Sequence, residues 1–312
     1  MKRALRRGAA VLVAGGLAMA AAAGPVQARP APSTVHRAAV TDLEVERVAA
    51  YWTPEAMRAA VPLELAIEPG GALAEEPRGI PRAVSPTFPN GGGPWPAGGE
   101  VVATSGRVFF TTNGSNASCS GSAVTSANRS TVLTAGHCVK VAGRFHENWV
   151  FVPGYENDNA PYGVWPARLT TATPQWLAGE DMNHDLGAAV VAEVDGTSLT
   201  DVVGGQGVVF NQERGLDMYA FGWAASPPYD GSTMSYCSGT TFDATLTDGI
   251  GMSCDLTRGA SGGPWFHQFD PSTGTGLIGS VNSYKINFVP YYVFGPYFGD
   301  VARAFYETVQ SM

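Results

Sequence analysis

GRVFFTTNGSN, residues 106–116, decides the fold class. Aromatic and β-branched residues run straight into an Asn-Gly pair. Asn-Gly next to such a run is a turn signal between strands. The same grammar continues downstream: SGSAV (120–124), STVLTA (130–135), HDLGAAVVAEV (184–194) before Asp195-Gly196, VVFN (208–211), MYAFGWA (218–224), FDATLT (242–247) before Asp248-Gly249, and GLIGSVNSY (276–284). Many short strands at fairly even spacing predict an all-β sandwich or barrel. The tail GPYFGDVARAFYETVQ (295–310) spaces apolar residues near period 3.6 and predicts one C-terminal helix. With 39 Gly, 22 Pro and 15% charged residues in 312, the chain carries little other amphipathic-helix pattern.

Working toward the N-terminus, residues 1–28 read as a signal peptide. MKRALRR is basic, the following run is apolar and small, and VQA (26–28) makes a cleavage site. The apolar run is short and rich in Ala and Gly for a membrane anchor, and no later stretch is long enough to span a bilayer. The reading is therefore a secreted, extracellular protein with no membrane partner after signal removal. Residues 29–96, the end being approximate, read as a propeptide and linker. TVHRAAVTDLEVERVAAYWTPEAMRAAVPLE (34–64) is short-range helical at best, and EEPRGIPRAVSPTFPNGGGPWPAGG (75–99) is an exposed, cleavable Pro/Gly segment. Residues 97–312 form the main domain. Removing residues 1–28 takes four of the 19 basic residues and none of the 27 acidic ones, leaving 15 against 27, a net charge near −12. Without a basic stripe, that balance excludes nucleic acid as a partner.

Four cysteines, Cys119, Cys138, Cys237 and Cys254, in an exported chain suggest two disulfides. Three connectivities are open, and sequential pairing closes two loops of similar length. No Cys-x-x-Cys is present and only His137 adjoins a cysteine, so no metal site is expected.

TRGASGGPW (257–265) sets a serine among three glycines. Serine is a weak nucleophile that needs a base, an acid to orient the base, and donors for the oxyanion. Gly259 can turn its own N–H and that of Ser261 toward one point, and Gly262 and Gly263 allow close approach of a substrate. Of the five histidines, His36 lies in the propeptide, and His146, His184 and His267 have ordinary surroundings. His137 follows a β-branched strand and small residues and sits beside Cys138, whose disulfide would hold the turn rigid. Asp185 directly precedes an apolar strand and is the candidate acid, with Asp181 its nearest rival.

The order His, Asp, Ser, with TAGHC, HDLGAAVV and GASGGPW around them, resembles secreted bacterial trypsin-like serine peptidases of the chymotrypsin-fold superfamily, leaning to the glutamyl endopeptidase branch. The resemblance spans about residues 100–300. It implies two six-stranded antiparallel β-barrels with the site between them, and a Ser-hydrolase mechanism without cofactors. It also implies Cys119–Cys138 around the histidine turn and Cys237–Cys254 near the serine loop. His137, Asp185 and Ser261 take the triad roles, and the N–H groups of Gly259 and Ser261 form the oxyanion hole. The expected protein is a monomeric endopeptidase acting on proteins or peptides and made as a zymogen.

The chain departs from the family at two places. Ala260 stands where trypsin-like enzymes carry Asp before the nucleophile, and Cys254 lies seven residues ahead of Ser261. The substrate pocket is expected between residues 255–258 and 279–284, with Asp255, Thr257, Ser280, Val281 and Ser283 as candidates. Asp255 at the pocket floor would favour Lys or Arg, while Thr257 and Ser280 would suit a carboxylate. Two other readings remain. One is a peptidase fold used only for binding, although all three candidate residues are present. The other is an esterase or lipase, since GASGG fits Gly-x-Ser-x-Gly. That fold needs a histidine from a separate later loop, and only His267 follows, six residues on.

Overall fold

The computed structural model describes residues 34–67 and 90–312. The signal peptide and much of the linker, as read from the sequence, lie outside the described residues. The described residues form one compact unit.

The 106–116 stretch is a hairpin. Ser105–Thr112 pairs antiparallel with Ser115–Ala123, and Asn113 and Gly114 turn the chain at φ 49° and 77°. Two successive positive φ values match the right-handed twist of the flanking strands. The hairpin extends into a closed six-stranded barrel. Glu147–Pro153, Ser105–Thr112, Ser115–Ala123, Thr131–Thr134 and Gly187–Val191 pair in turn, and Trp165–Ala172 joins the two ends. Closure leaves no exposed edge inside the ring. Its interior is apolar, with Val108, Phe110, Val132 and Phe151 on one face of the pairing and almost wholly buried.

The second barrel arrives as two sheets. One orders Gly207–Val208, Thr275–Val281, Pro264–Asp270, Asp217–Gly222, Ser235–Thr240 and Asn90–Pro94. The other orders Phe242–Asp243, Ile250–Ser253, Tyr292–Gly295, Tyr284–Ile286 and Leu65–Ile67. Met218, Ala220, Met252, Trp265 and Val293 pack between them, and the Cys237–Cys254 disulfide ties one to the other. The helix Asp300–Val309 buries Ala302, Phe305 and Val309, a stripe at helical spacing. The architecture is thus all-β, two barrels and a C-terminal helix.

The N-terminal region is more structured than its sequence suggests. Thr41 and Glu44 make a reciprocal cap on the helix Asp42–Tyr51. Thr53 caps Pro54–Ala59, with Pro54 in the first turn. Val35–Arg37 adds to the barrel strand Trp165–Ala172, and Trp52 lies against Phe109 with centroids 5.4 Å apart. Ordered strand structure also precedes the approximate boundary at residue 97. Asn90–Pro94 already pairs with Ser235–Thr240, and Trp95 sits edge-on to Phe221 and Tyr236. NGGGP has no apolar alternation to announce a strand; its backbone simply completes a sheet edge.

Candidate active site

The barrel register brings His137 and Asp185 together. Gly187 pairs with Thr134, so the residues just outside that pairing meet at the same end. His137 lies in the short turn Gly136–Cys138 that follows Thr131–Thr134. Asp185 Oδ2 accepts from His137 Nδ1 at 2.8 Å, and Oδ1 accepts from the His137 backbone N–H at 2.8 Å. Both side chains are fully buried. A carboxylate only accepts, so Nδ1 carries the proton and Nε2 keeps its lone pair. Nε2 has no hydrogen-bond partner among the described residues.

Two further groups steady this pair. Ser283 donates to Asp185 Oδ2 at 2.5 Å. His146, whose Nε2 donates to the His137 carbonyl at 2.9 Å, stacks on Phe110 at 4.1 Å. Burial pushes the His146 pKa down to about 4, so it is a neutral donor at physiological pH. The sequence places Ser283 in a substrate pocket and gives His146 no role. No local signal marks either one, because both act across sheet pairings. Asp181, the rival acid, faces solvent and caps the turn Met182–His184 through Asn183 N.

Ser261 is held by the first barrel. Ser120 N–H donates to the Ser261 carbonyl at 2.7 Å, and Ser120 Oγ donates to the Gly259 carbonyl at 2.9 Å. The strand carrying Ser120 also carries Cys119, whose disulfide to Cys138 pins the His137 turn. One strand therefore holds both the Ser261 loop and the His137 turn. Gly259 and Gly262 have φ of 94° and 80°, and a Cβ on Gly262 would fall 2.1 Å from Thr134 Oγ1. Only glycine combines that backbone with that contact.

Residues 61–67 occupy this cleft. Val61–Pro62 pairs with Ala117 and Ser118, and Leu65–Ile67 pairs with Tyr284–Ile286. Between them, Leu63 N–H donates to Ser118 O at 2.9 Å. The Leu63 carbonyl accepts from Gly259 N–H and from Ser261 Oγ, both at 3.3 Å. The serine hydroxyl is thus turned toward Leu63.

Beside Ser261 lies a cavity whose lining includes Glu64, Thr257, Ala260, Ser283 and Lys285. Of the expected pocket residues, Thr257 and Ser283 line it. Asp255 does not; it accepts from Tyr229 Oη at 2.5 Å. Ser280 donates to the Pro296 carbonyl, and Val281 is buried away from the cavity. Burial lowers the Lys285 pKa, opposed by the charges of Glu64 and Asp255. Cys119, Cys138 and His137 cluster, but the two sulfurs are joined to each other, so no thiolate remains to bind a metal.

No family model matches the chain and no curated protein matches it. Solved structures do. Protease Anisep from Arthrobacter nicotinovorans is 41% identical, with a TM-score of 0.64, covering 67% of this chain and 96% of that one. The thermostable serine protease AL20 from an extremophilic microorganism is 36% identical, with a TM-score of 0.65, covering 68% and 99%. A Glu endopeptidase in complex with MPD is 16% identical over 66% of this chain and 91% of that one, at a TM-score of 0.54, a likeness of fold alone. With near-complete coverage of two serine proteases above 30% identity and the two-barrel fold, the chain belongs to the chymotrypsin-like serine proteases and is a peptidase.

Proposed function

We propose that the protein is a secreted, monomeric serine endopeptidase that cuts proteins or peptides through an acyl-enzyme and is made as a latent precursor. The observation that carries the reading is a peptide carbonyl, that of Leu63, resting on Gly259 N–H and Ser261 Oγ next to the buried His137–Asp185 pair.

In the reaction, Ser261 Oγ attacks the carbonyl carbon as its proton passes to His137 Nε2. The oxyanion is held by the N–H groups of Gly259 and Ser261. His137 then gives that proton to the departing amine, leaving an ester on Ser261. Water attacks the ester, again losing a proton to Nε2, and the serine is restored. Throughout, Nδ1–H stays on Asp185, which fixes the tautomer and offsets the imidazolium charge. No cofactor takes part in these steps.

The precursor is organised as signal peptide 1–28, a propeptide that includes residues 34–67, and a peptidase domain that begins before Asn90. Latency is supported by residues 61–67 in the cleft, where Leu63 engages the serine hydroxyl that His137 must deprotonate.

The test is Ser261→Ala in the processed protein, with a fluorophosphonate label on the unaltered enzyme. Labelling at Ser261 and loss of turnover by several orders of magnitude in the variant are expected. Near-normal turnover would sink the assignment, and a folded protein that neither labels nor cleaves peptides would be a binding scaffold.

A further inference from the structure

Residues 61–67 cross the cleft in the wrong direction to be cut. Val61–Pro62 pairs parallel with Ala117 and Ser118 of the first barrel, and Leu65–Ile67 pairs parallel with Tyr284–Ile286 of the second. From residue 61 to residue 67 the chain thus passes from the first barrel to the second. A chain that Ser261 can cut must put the amine half of its bond at His137 Nε2, which protonates the departing nitrogen. His137 belongs to the first barrel, where Cys138 is joined to Cys119, the neighbour of Ser118. The amine half of a cleavable chain therefore lies along Ala117–Ser118, and its acyl half along Tyr284–Ile286. Such a chain is antiparallel to both strands. Backbone ladders form in either direction, so the reversed segment keeps its hydrogen bonds and loses the alignment for reaction.

The bond after Leu63 carries the consequence. Glu64, which holds its amine half, lines the cavity with Ala260, Ser283 and Tyr284 on the second barrel. The Ser261 hydroxyl donates to the Leu63 oxygen, and His137 Nε2 has no hydrogen-bond partner among the described residues. The proton route from Ser261 through His137 thus does not lead to the Glu64 nitrogen. Outside the cleft, the same region is anchored on the first barrel. Trp52, 3% exposed, donates from Nε1 to the Asn148 carbonyl at 2.6 Å. Tyr51 Oη donates to Asn116 Oδ1 at 2.6 Å, and Val35–Arg37 pairs with Trp165–Ala172. All these anchors precede residue 68, so a cut between residues 68 and 89 breaks none of them. We infer that residues 34–67 are an inhibitor that the peptidase does not consume, held backwards in the cleft, uncut at Leu63–Glu64 and still bound after the linker is cut. The inference rests on the peptidase reading and adds how latency is kept.

The full chain is nicked in the linker, at Arg78 or Arg82, with immobilised trypsin that is then removed. Undiluted, the nicked protein is expected to label with fluorophosphonate as slowly as the uncut precursor. Dilution speeds labelling and reconcentration slows it again, because the departed inhibitor is intact. Mass spectrometry of the undiluted sample finds Leu63–Glu64 uncut. Sequence preference is removed as the reason by Leu63→Glu, Leu63→Lys, Leu63→Phe and Leu63→Ala in the unnicked chain, since the Leu63 hydrogen bonds are made by backbone atoms. The bond after residue 63 stays uncut in all four, while free peptides with the favoured one of these residues are cut after it. Trp52→Ala weakens the anchor and is expected to speed labelling of the nicked protein at least about 100-fold, the scale of truncating a buried aromatic. A cut after residue 63 that is absent from Ser261→Ala overturns the inference. So does full labelling on nicking alone, or activation that reconcentration does not reverse. A folded, nicked and diluted Trp52→Ala protein that neither labels nor cleaves peptides overturns the peptidase reading instead.

Discussion

At the residue scale, burial separates the two candidate acids. Asp185 is fully buried and accepts three hydrogen bonds, from His137 Nδ1, His137 N and Ser283 Oγ. Asp181 is 38% exposed and caps a turn. Asp185→Asn is expected to cut kcat by about 10⁴, the scale of a histidine held in the wrong tautomer, and Asp181→Asn by less than about tenfold. Steady-state kinetics on both variants decides it, and the reverse ranking would move the acid to Asp181. His146 sets a pH limit on folding. Its folded pKa of about 4 lies below its ordinary 6.5, with burial the main cause. The nearby His137 and His36 push in the same direction, while Glu180 and the His137 carbonyl oppose it. The folded protein holds His146 neutral while the unfolded chain protonates it. Its contribution is therefore present above pH 6.5 and is lost as pH falls toward 4, by about 1.4 kcal/mol per unit. Between pH 7 and 5 that is about 2 kcal/mol. Urea unfolding of His146→Asn should show a pH-dependent loss smaller by that amount. An identical loss would remove His146 as the titrating group.

At the element scale, two short strand pairings and the hydrogen bonds of Leu63 hold residues 61–67 in the cleft. Val61–Pro62 and Leu65–Ile67 are too short to be stable alone, and they persist by adding to strands already formed. Leu63→Pro deletes the N–H that donates to Ser118 O. One net hydrogen bond of about 1 kcal/mol shifts the open fraction about fivefold. The precursor variant should therefore label with fluorophosphonate about five times faster than the unaltered precursor. An unchanged labelling rate would mean that this segment does not guard Ser261. These elements also show what the sequence could and could not disclose. The 106–116 hairpin was legible because its apolar run and its Asn-Gly turn agree locally. The helix at Asp300–Val309 was legible by its period. TAGHC and GASGGPW were legible because the reaction demands unusual residues together. Leu65–Ile67 and Asn90–Pro94 were not, since each is a strand only through its partner. The cavity beside Ser261 was not legible either, since Glu64, Leu256, Thr257, Ala260 and residues 282–285 meet only when the chain is folded.

At the scale of the whole molecule, the question is whether release of the N-terminal region must build the active site or only uncover it. In trypsin-like zymogens a newly freed amine pairs with the aspartate before the nucleophile and orders the oxyanion hole. Here that residue is Ala260, 3% exposed and packed against Gly222, where even one added carbon would lie 2.9 Å from it. Position 260 thus offers no carboxylate to an amine. Ala260 N–H donates to Thr257 O at 3.2 Å, and Gly263 N–H and Asn282 Nδ2 both donate to Ala260 O at 3.0 Å. Gly259 N–H already points at a carbonyl in the precursor. On the proposed reading, the oxyanion hole is therefore formed while residues 61–67 are still in the cleft. Shifting the mature N-terminus by one or two residues should leave kcat unchanged, because no amine position is built into the loop. An enzyme dependent on a buried amine would also lose activity at alkaline pH as that amine deprotonates above its ordinary value near 8. This one should not lose kcat through that pH range. Active-site titration with kcat measured on each shifted form gives the answer. A large fall in kcat on shifting the terminus would show that another carboxylate has replaced the missing aspartate, and that removal of the N-terminal region completes the site as well as exposing it.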